Sequence, residues 1–205
     1  MSVFDWLETT RPYQYARVQM NKGLVDFLVR RTVADRAALQ VAEVACGSGF
    51  AAHLMAAHRD VALSCAMDLN LDDYRQAAIP DFAAQFVLAD LFAPPVLAES
   101  FDLVWNSSSI EEIPNPERAV ACMAAMAKPG GLVFVGVPYK YGLAGLLGLF
   151  ARGESKEWLG RNYSWAQLSA LMRSAGLEPA GRKRYMLGIF IGILARKPHT
   201  EKNLG

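Results

Sequence analysis

VAEVACGSG, residues 41–49, starts as an apolar run and ends on two glycines set one residue apart. With Leu39 and Gln40 before it, the run reads as a buried strand, and FAAHLMAAH at 50–58 is helix-favouring. The segment is therefore a strand that turns through a glycine loop into a helix. Without Cβ atoms, Gly47 and Gly49 let the backbone approach a nucleotide-like ligand closely. VALSCAM at 61–67 reads as the next strand and ends at Asp68, 21 positions after Gly47, where a carboxylate can accept from both hydroxyls of a ribose. A tight turn and a surface aspartate would look the same singly. Both features, however, fall at carboxyl ends of strands, where open α/β sheets bind ligands.

The alternation continues in both directions. Residues 13–33 place Val18, Leu24, Val25 and Leu28 on one helical face. A helix near 70–78 and a strand at 84–89 ending in Asp90 follow, then a strand FDLVW at 101–105. Asn115 caps a helix with Pro116 at its first position, and KPGG at 128–131 forces a turn into the strand LVFVGV. Ser164 and Gln167 form a capping-box pattern, and the helix they open stops at Gly176. Strands at about 178–187 and 189–196 follow without room for a crossover helix, so they are expected to be antiparallel. Residues 139–162 break the rhythm with five glycines and the apolar GLAGLLGLF, and read as an inserted lid. There is no internal repeat or linker. The expectation is a single domain over 1–205, with 1–37 a helical segment on the substrate side and the tail from Lys197 frayed.

Lys+Arg is 21 against Asp+Glu 20, a formal net charge of +1, so no global field recruits nucleic acid or an anionic membrane. Cys46, Cys65 and Cys122 are too scattered for a disulfide framework or a zinc site, and no metal is expected. Asp5 and Glu8 near the start argue against a secretory signal, and no apolar stretch reaches the roughly 20 residues of a transmembrane helix. A soluble, cytoplasmic protein is expected.

Gly47, Gly49 and Ala52 also satisfy the dinucleotide-binding pattern, which alone would permit a nicotinamide-dependent oxidoreductase. Further motifs separate the two. EVACGSG, Asp68 after the second strand, ADLF with Asp90 after the third, and FDLVWNSSSIEEI leading to KPGGLVFVGVP together resemble class I S-adenosylmethionine-dependent methyltransferases. The subgroup is that of small-molecule enzymes, which includes the quinone-biosynthesis methylases, and the resemblance covers 38–138. It implies a Rossmann-like, doubly wound, mostly parallel seven-stranded sheet with an antiparallel C-terminal pair. It also implies S-adenosylmethionine as cofactor. Glu43 and the loop from Ala45 through Gly47 to Gly49 would border the methionine moiety, Asp68 and Leu69 the ribose and adenine edge, and Asp90 with Leu91 the adenine. Asn106 and Ser107 would approach the amino-acid end or the transferred methyl. Two positions depart from the family: Ala45 replaces the first glycine of the loop, and Glu111 and Glu112 stand where many relatives have a histidine.

Methyl transfer from a sulfonium has its leaving group already activated, so positioning supplies much of the rate. No catalytic residue is singled out. If the acceptor must lose a proton, Glu111, Glu112, Tyr13, Tyr15 and His53 are candidates, the glutamates competing with a solvated loop and His53 with a structural role. WNSSSI lacks the Asn-Pro-Pro-aromatic element of nucleic-acid amino methylases, there is no Pro-Cys nucleophile, and no Asp-rich magnesium set is visible. A small acceptor remains. Phe4, Trp6, Tyr13 and Tyr15 with the lid suggest a lipophilic pocket wall, against ordinary packing at the sheet edge. Arg182, Lys183 and Arg184 read as a solvated edge strand. The competing class is a catalytically silent S-adenosylmethionine-binding subunit.

Overall fold

The computed structural model describes residues 11–34, 37–142 and 161–199, and only the backbone of 11–17 and 20. Phe4, Trp6 and the GLAGLLGLF run beyond Gly142 lie outside the described residues, as do the side chains of Tyr13 and Tyr15. In chain order the elements are α1 (Arg11–Val33), β1 (Leu39–Val44), α2 (Phe50–Ala56), β2 (Val61–Asp68), α3 (Asp72–Ala77) and β3 (Gln85–Leu88). Then come β4 (Phe101–Ser107), α4 (Pro116–Met126), β5 (Ala127–Pro138), α5 (Trp165–Ser174), β6 (Glu178–Tyr185) and β7 (Phe190–Arg196).

The seven strands form one sheet in the order β3-β2-β1-β4-β5-β7-β6. β1 to β5 pair in parallel, while β7 runs antiparallel to both β5 and β6. The expected fold class is thus the observed one. β1 and β4 are covered on both faces, which is why both read as nearly unbroken apolar runs. On one face Leu24 and Leu28 of α1 and Met55 of α2 pack on Leu39, Val41, Leu103, Trp105 and Phe134. On the other, Val120 and Met123 of α4 and Leu168 and Met172 of α5 pack on Val104, Val133, Val135 and Ile191. The chain runs from β1 outward to β3 and returns to β4 beside β1. The connections leaving β1 and β4 therefore go to opposite faces, and open sheets hold ligands at such a switch point.

The caps are local and legible. Asn115 accepts the backbone N–H of Arg118 at 3.0 Å with Pro116 at the first position of α4. Ser164 and Gln167 close a capping box on α5. KPGG departs from its reading as a turn. It lies within β5 as a bulge, since pairing jumps from Phe101↔Ala127 to Leu103↔Leu132. Gly130 takes φ 70 there, and Lys128 Nζ bonds Asp102 Oδ2 at 2.9 Å. Arg182, Lys183 and Arg184 do lie on the edge strand, over the rings of Trp165, Phe27 and Tyr139 respectively.

Candidate functional site

The loop after β1 holds three left-handed residues, Ala45 (φ 49), Gly47 (φ 52) and Gly49 (φ 69). Ala45 adopts with a Cβ a conformation that glycine takes freely, at about 1–2 kcal/mol. The two glycines serve different ends. A Cβ on Gly49 would press on the Phe82 ring at 2.9 Å, so Gly49 is a packing glycine. A Cβ on Gly47 would meet only Asp73 Oδ2, at the ordinary contact distance of 3.7 Å, so its backbone is less crowded than that of Gly49.

Asp68 ends β2 beside this loop and holds it. Its Oδ2 accepts the Gly47 N–H at 2.7 Å and its Oδ1 the Asn70 N–H at 2.8 Å. Leu69 follows with 74% of its surface exposed. At the end of β3, Asp90 Oδ1 accepts the Phe92 N–H at 2.8 Å, and Leu91 turns back to pack on the core. The Ala89 N–H donates to the Asp68 carbonyl at 2.7 Å, pinning the ends of β2 and β3 together.

Glu43, near the end of β1, is 5% exposed. The backbone N–H of Ala52 in α2 donates to it, but its Oε2 has no partner. Burial, with a smaller contribution from Asp68, pushes its carboxyl up to about 8. Its register partner on β4 is Trp105, whose buried Nε1 is also unpartnered. Burial likewise pushes the Cys46 thiol well up, helped by the charges of Glu43 and Asp68, so that thiol is no nucleophile.

Asn106 is fully buried and its amide is engaged at both ends. Nδ2 donates to the Val44 carbonyl at 2.7 Å, and Oδ1 accepts from the N–H groups of Ser109 and Ile110 at 3.3 Å. It therefore ties β4 to β1 and shapes the turn that follows. Ser107 Oγ lies 2.9 Å from the Tyr185 hydroxyl, which arrives from the far edge of the sheet. Gly136 and Gly192, paired across β5 and β7, make room: a Cβ on Gly136 would strike the Tyr185 hydroxyl, and one on Gly192 the Phe134 ring. Burial raises the Tyr185 phenol. Beyond β4, Glu111 is 4% exposed, with Oε1 accepting from Ser108 Oγ at 3.1 Å and Oε2 unpartnered.

Glu112 is exposed, and His53 is occupied structurally. The His53 Nδ1 accepts the Ala83 N–H at 3.1 Å and its ring stacks on Phe82. Sequence reading missed Tyr185, Trp105 and the Gly136–Gly192 pair. Two glycines inside strands, away from any turn, were the available signal for a close approach. No His/Cys/Asp/Glu cluster able to hold a metal exists among the described residues. No described helix is long and apolar enough to cross a membrane.

Residues 42–135 match the family described as "Methyltransferase domain". With the sheet order above, this identifies residues 42–135, just under half of the chain, as a methyltransferase domain of class I, the kind whose cofactor is S-adenosylmethionine. Ubiquinone biosynthesis O-methyltransferase of Ralstonia nicotianae is 29% identical over 162 residues, covering 73% of this chain and 67% of its own length. Among solved structures, the [4+2]-cyclase SpnF superposes with TM-score 0.68 at 21% identity, over 87% of this chain and 82% of that one. The 1,6-didemethyltoxoflavin-N1-methyltransferase of Burkholderia thailandensis, bound to its acceptor and S-adenosylhomocysteine, gives TM-score 0.65 at 15% identity, over 95% and 86%. At these identities the likeness to the solved structures is one of fold.

Proposed function

We propose that this chain transfers the methyl group of S-adenosylmethionine to a hydroxyl oxygen of a small, lipophilic acceptor. The observation that carries the cofactor's place is Gly47, left-handed, crowded by nothing closer than Asp73 Oδ2 at 3.7 Å and anchored by its N–H to Asp68. In this reading Glu43 and the loop from Ala45 to Gly49 border the methionine part, Asp68 and Leu69 the ribose, and Asp90 and Leu91 the adenine. Asp68 retains lone pairs for the ribose hydroxyls while it holds the loop. Glu43, buried and short of a partner, suits a ligand with a cationic centre, because a nearby positive charge favours the carboxylate. When bound, the cofactor supplies an electrophilic methyl on sulfur. Asn106 acts as a positioning residue for the ends of β1 and β4, and Ser107 faces the acceptor side.

The acceptor would lie over β4 and β5, walled by 1–37 and by the lid 139–162 of a single domain. Support comes from Tyr139, at the start of the lid, and Tyr163, just past its end, which bridge to each other beyond β5. Oxygen as the accepting atom rests on the similarity to the Ralstonia O-methyltransferase.

Calorimetry with S-adenosylhomocysteine and NADH side by side tests the cofactor assignment. The first alone should bind, and binding of NADH alone would sink the reading. Methylation of octyl gallate, a lipophilic polyphenol, tests the acceptor class. A protein that binds S-adenosylhomocysteine yet methylates no hydroxylated acceptor would be a silent binding subunit.

A further inference from the structure

We infer that Glu111 is the group that takes the proton from the acceptor hydroxyl, with Ser108 holding its other oxygen. This rests on the reading that the chain methylates an oxygen.

The placement comes first. Glu111 follows β4 directly, at the carboxyl end of the strand beside the switch point. The turn that presents it is tied down on both sides. Asn106 Oδ1 accepts from the backbone of Ser109 and Ile110, and Ser109 Oγ donates to the Ala45 carbonyl of the cofactor loop at 3.1 Å. Ser108 takes φ 70, an unfavourable conformation for a residue with a Cβ, and from there its hydroxyl reaches Glu111 Oε1. Such strain persists where surrounding structure over-determines it, and clusters at functional sites.

The second observation is the orphaned oxygen. A buried carboxylate oxygen without a donor costs free energy, and Glu111 Oε2 has none. A hydroxyl brought to it would supply the missing donor. Ser108 bonds Glu111, and the other titratable groups near enough to feel its charge are Glu112, Tyr163 from the segment leading into α5, and Tyr185 from β6. Arg161 and Glu117 flank Tyr163 in turn. Burial first, and Glu112 after it, push the Glu111 carboxyl up to about 7, against the pull of its hydrogen bonds. A base with a pKa near the working pH combines an available ionised form with a useful proton affinity.

The step balances. The acceptor O–H proton passes to Glu111 Oε2 as the oxygen lone pair forms the bond to the methyl carbon, and the carbon–sulfur bond breaks with its electron pair on sulfur. The proton leaves to solvent once the products depart.

Two measurements test this on the full chain saturated with S-adenosylhomocysteine or S-adenosylmethionine. The infrared carboxyl band lost in Glu111→Gln should titrate near neutrality. A band that stays protonated, or stays ionised, from about pH 5 to about pH 9 overturns the inference. With octyl gallate, Glu111→Gln should lower kcat about 100-fold and abolish the acid limb of the kcat–pH profile, with S-adenosylhomocysteine affinity within about twofold of the parent. Ser108→Ala should move that limb to higher pH, and Glu112→Gln, which removes a like charge, should move it to lower pH. A Glu111→Gln variant that keeps both kcat and the limb sinks the proposal. If the parent binds S-adenosylhomocysteine but methylates no polyphenol, the acceptor reading falls and the infrared titration judges Glu111 by itself.

Discussion

Four carboxylates stand at or near the carboxyl ends of this sheet, and they live under opposite conditions. Asp68 and Asp90, after β2 and β3, reach solvent and accept from backbone N–H groups at 2.7–2.8 Å. Glu43 and Glu111, on β1 and after β4, are buried, and each keeps one oxygen without a donor. The first pair spends its acceptors on holding backbone in shape, so that side is complete before any ligand arrives. The second pair carries a desolvation cost that a cation or a hydroxyl can relieve. Backbone-holding carboxylates thus sit on one side of the switch point and unspent electrostatics around β1 and β4.

The largest effect should separate the two loop glycines. Gly49→Val would drive a branched side chain into Phe82 at a left-handed position, costing about 3 kcal/mol or more of stability. Gly47→Val meets only Asp73 Oδ2, at an ordinary contact distance, and should cost mainly the backbone strain, about 1–2 kcal/mol, while S-adenosylhomocysteine binding is lost. Thermal unfolding and calorimetry on both variants check this. Equal losses of Tm would erase the distinction between a packing glycine and a ligand-facing one.

Asp68→Ala comes next. It removes the acceptor for the Gly47 N–H and the proposed partner of the ribose, where each bond to a charged group contributes about 1.5–3 kcal/mol. Affinity for S-adenosylhomocysteine should drop tenfold or more in a folded protein. Unchanged affinity would leave Asp68 as a loop anchor alone.

The smallest effect sharpens the buried side. Glu43 and Glu111 bind their protons more tightly folded than unfolded, with values raised from 4.5 to about 8 and about 7. Unfolding therefore releases protons between these limits. Their contribution to stability is fully present below about pH 4.5 and is lost as pH rises through about 7 and 8. The ligand-free protein should lose Tm over that range, and Glu43→Gln should flatten the loss because the amide has no charged form. A Glu43→Gln profile parallel to the parent's would show that Glu43 does not carry the cost.

The glycine loop and Asp68 were legible because local chemistry writes them. Glycine takes a left-handed turn without steric cost, and a strand end followed by an acid recurs at a fixed distance along the chain. The caps at Asn115 and Ser164 were legible for the same reason, since a cap is made within four residues of itself. KPGG was misread because the same residues that make a turn also make a bulge, and only the partner strand shows which.

The sequence by itself determined the alternation of strand and helix, the antiparallel ending and the residues placed at the strand ends. All of these follow from short-range periodicity, turn chemistry and loop length. Tertiary structure decided which polar groups are spent and which are not. Asn106 is consumed by Val44 across the sheet, 62 residues away, and Tyr185 reaches Ser107 from 78 residues away through the gap left by Gly136 and Gly192. Burial and hydrogen-bond satisfaction depend on what packs against a group. Strands distant along the chain supply that packing, so no local pattern could show that Glu111 is buried with an oxygen unpaired while Glu112, its neighbour, is bathed in solvent.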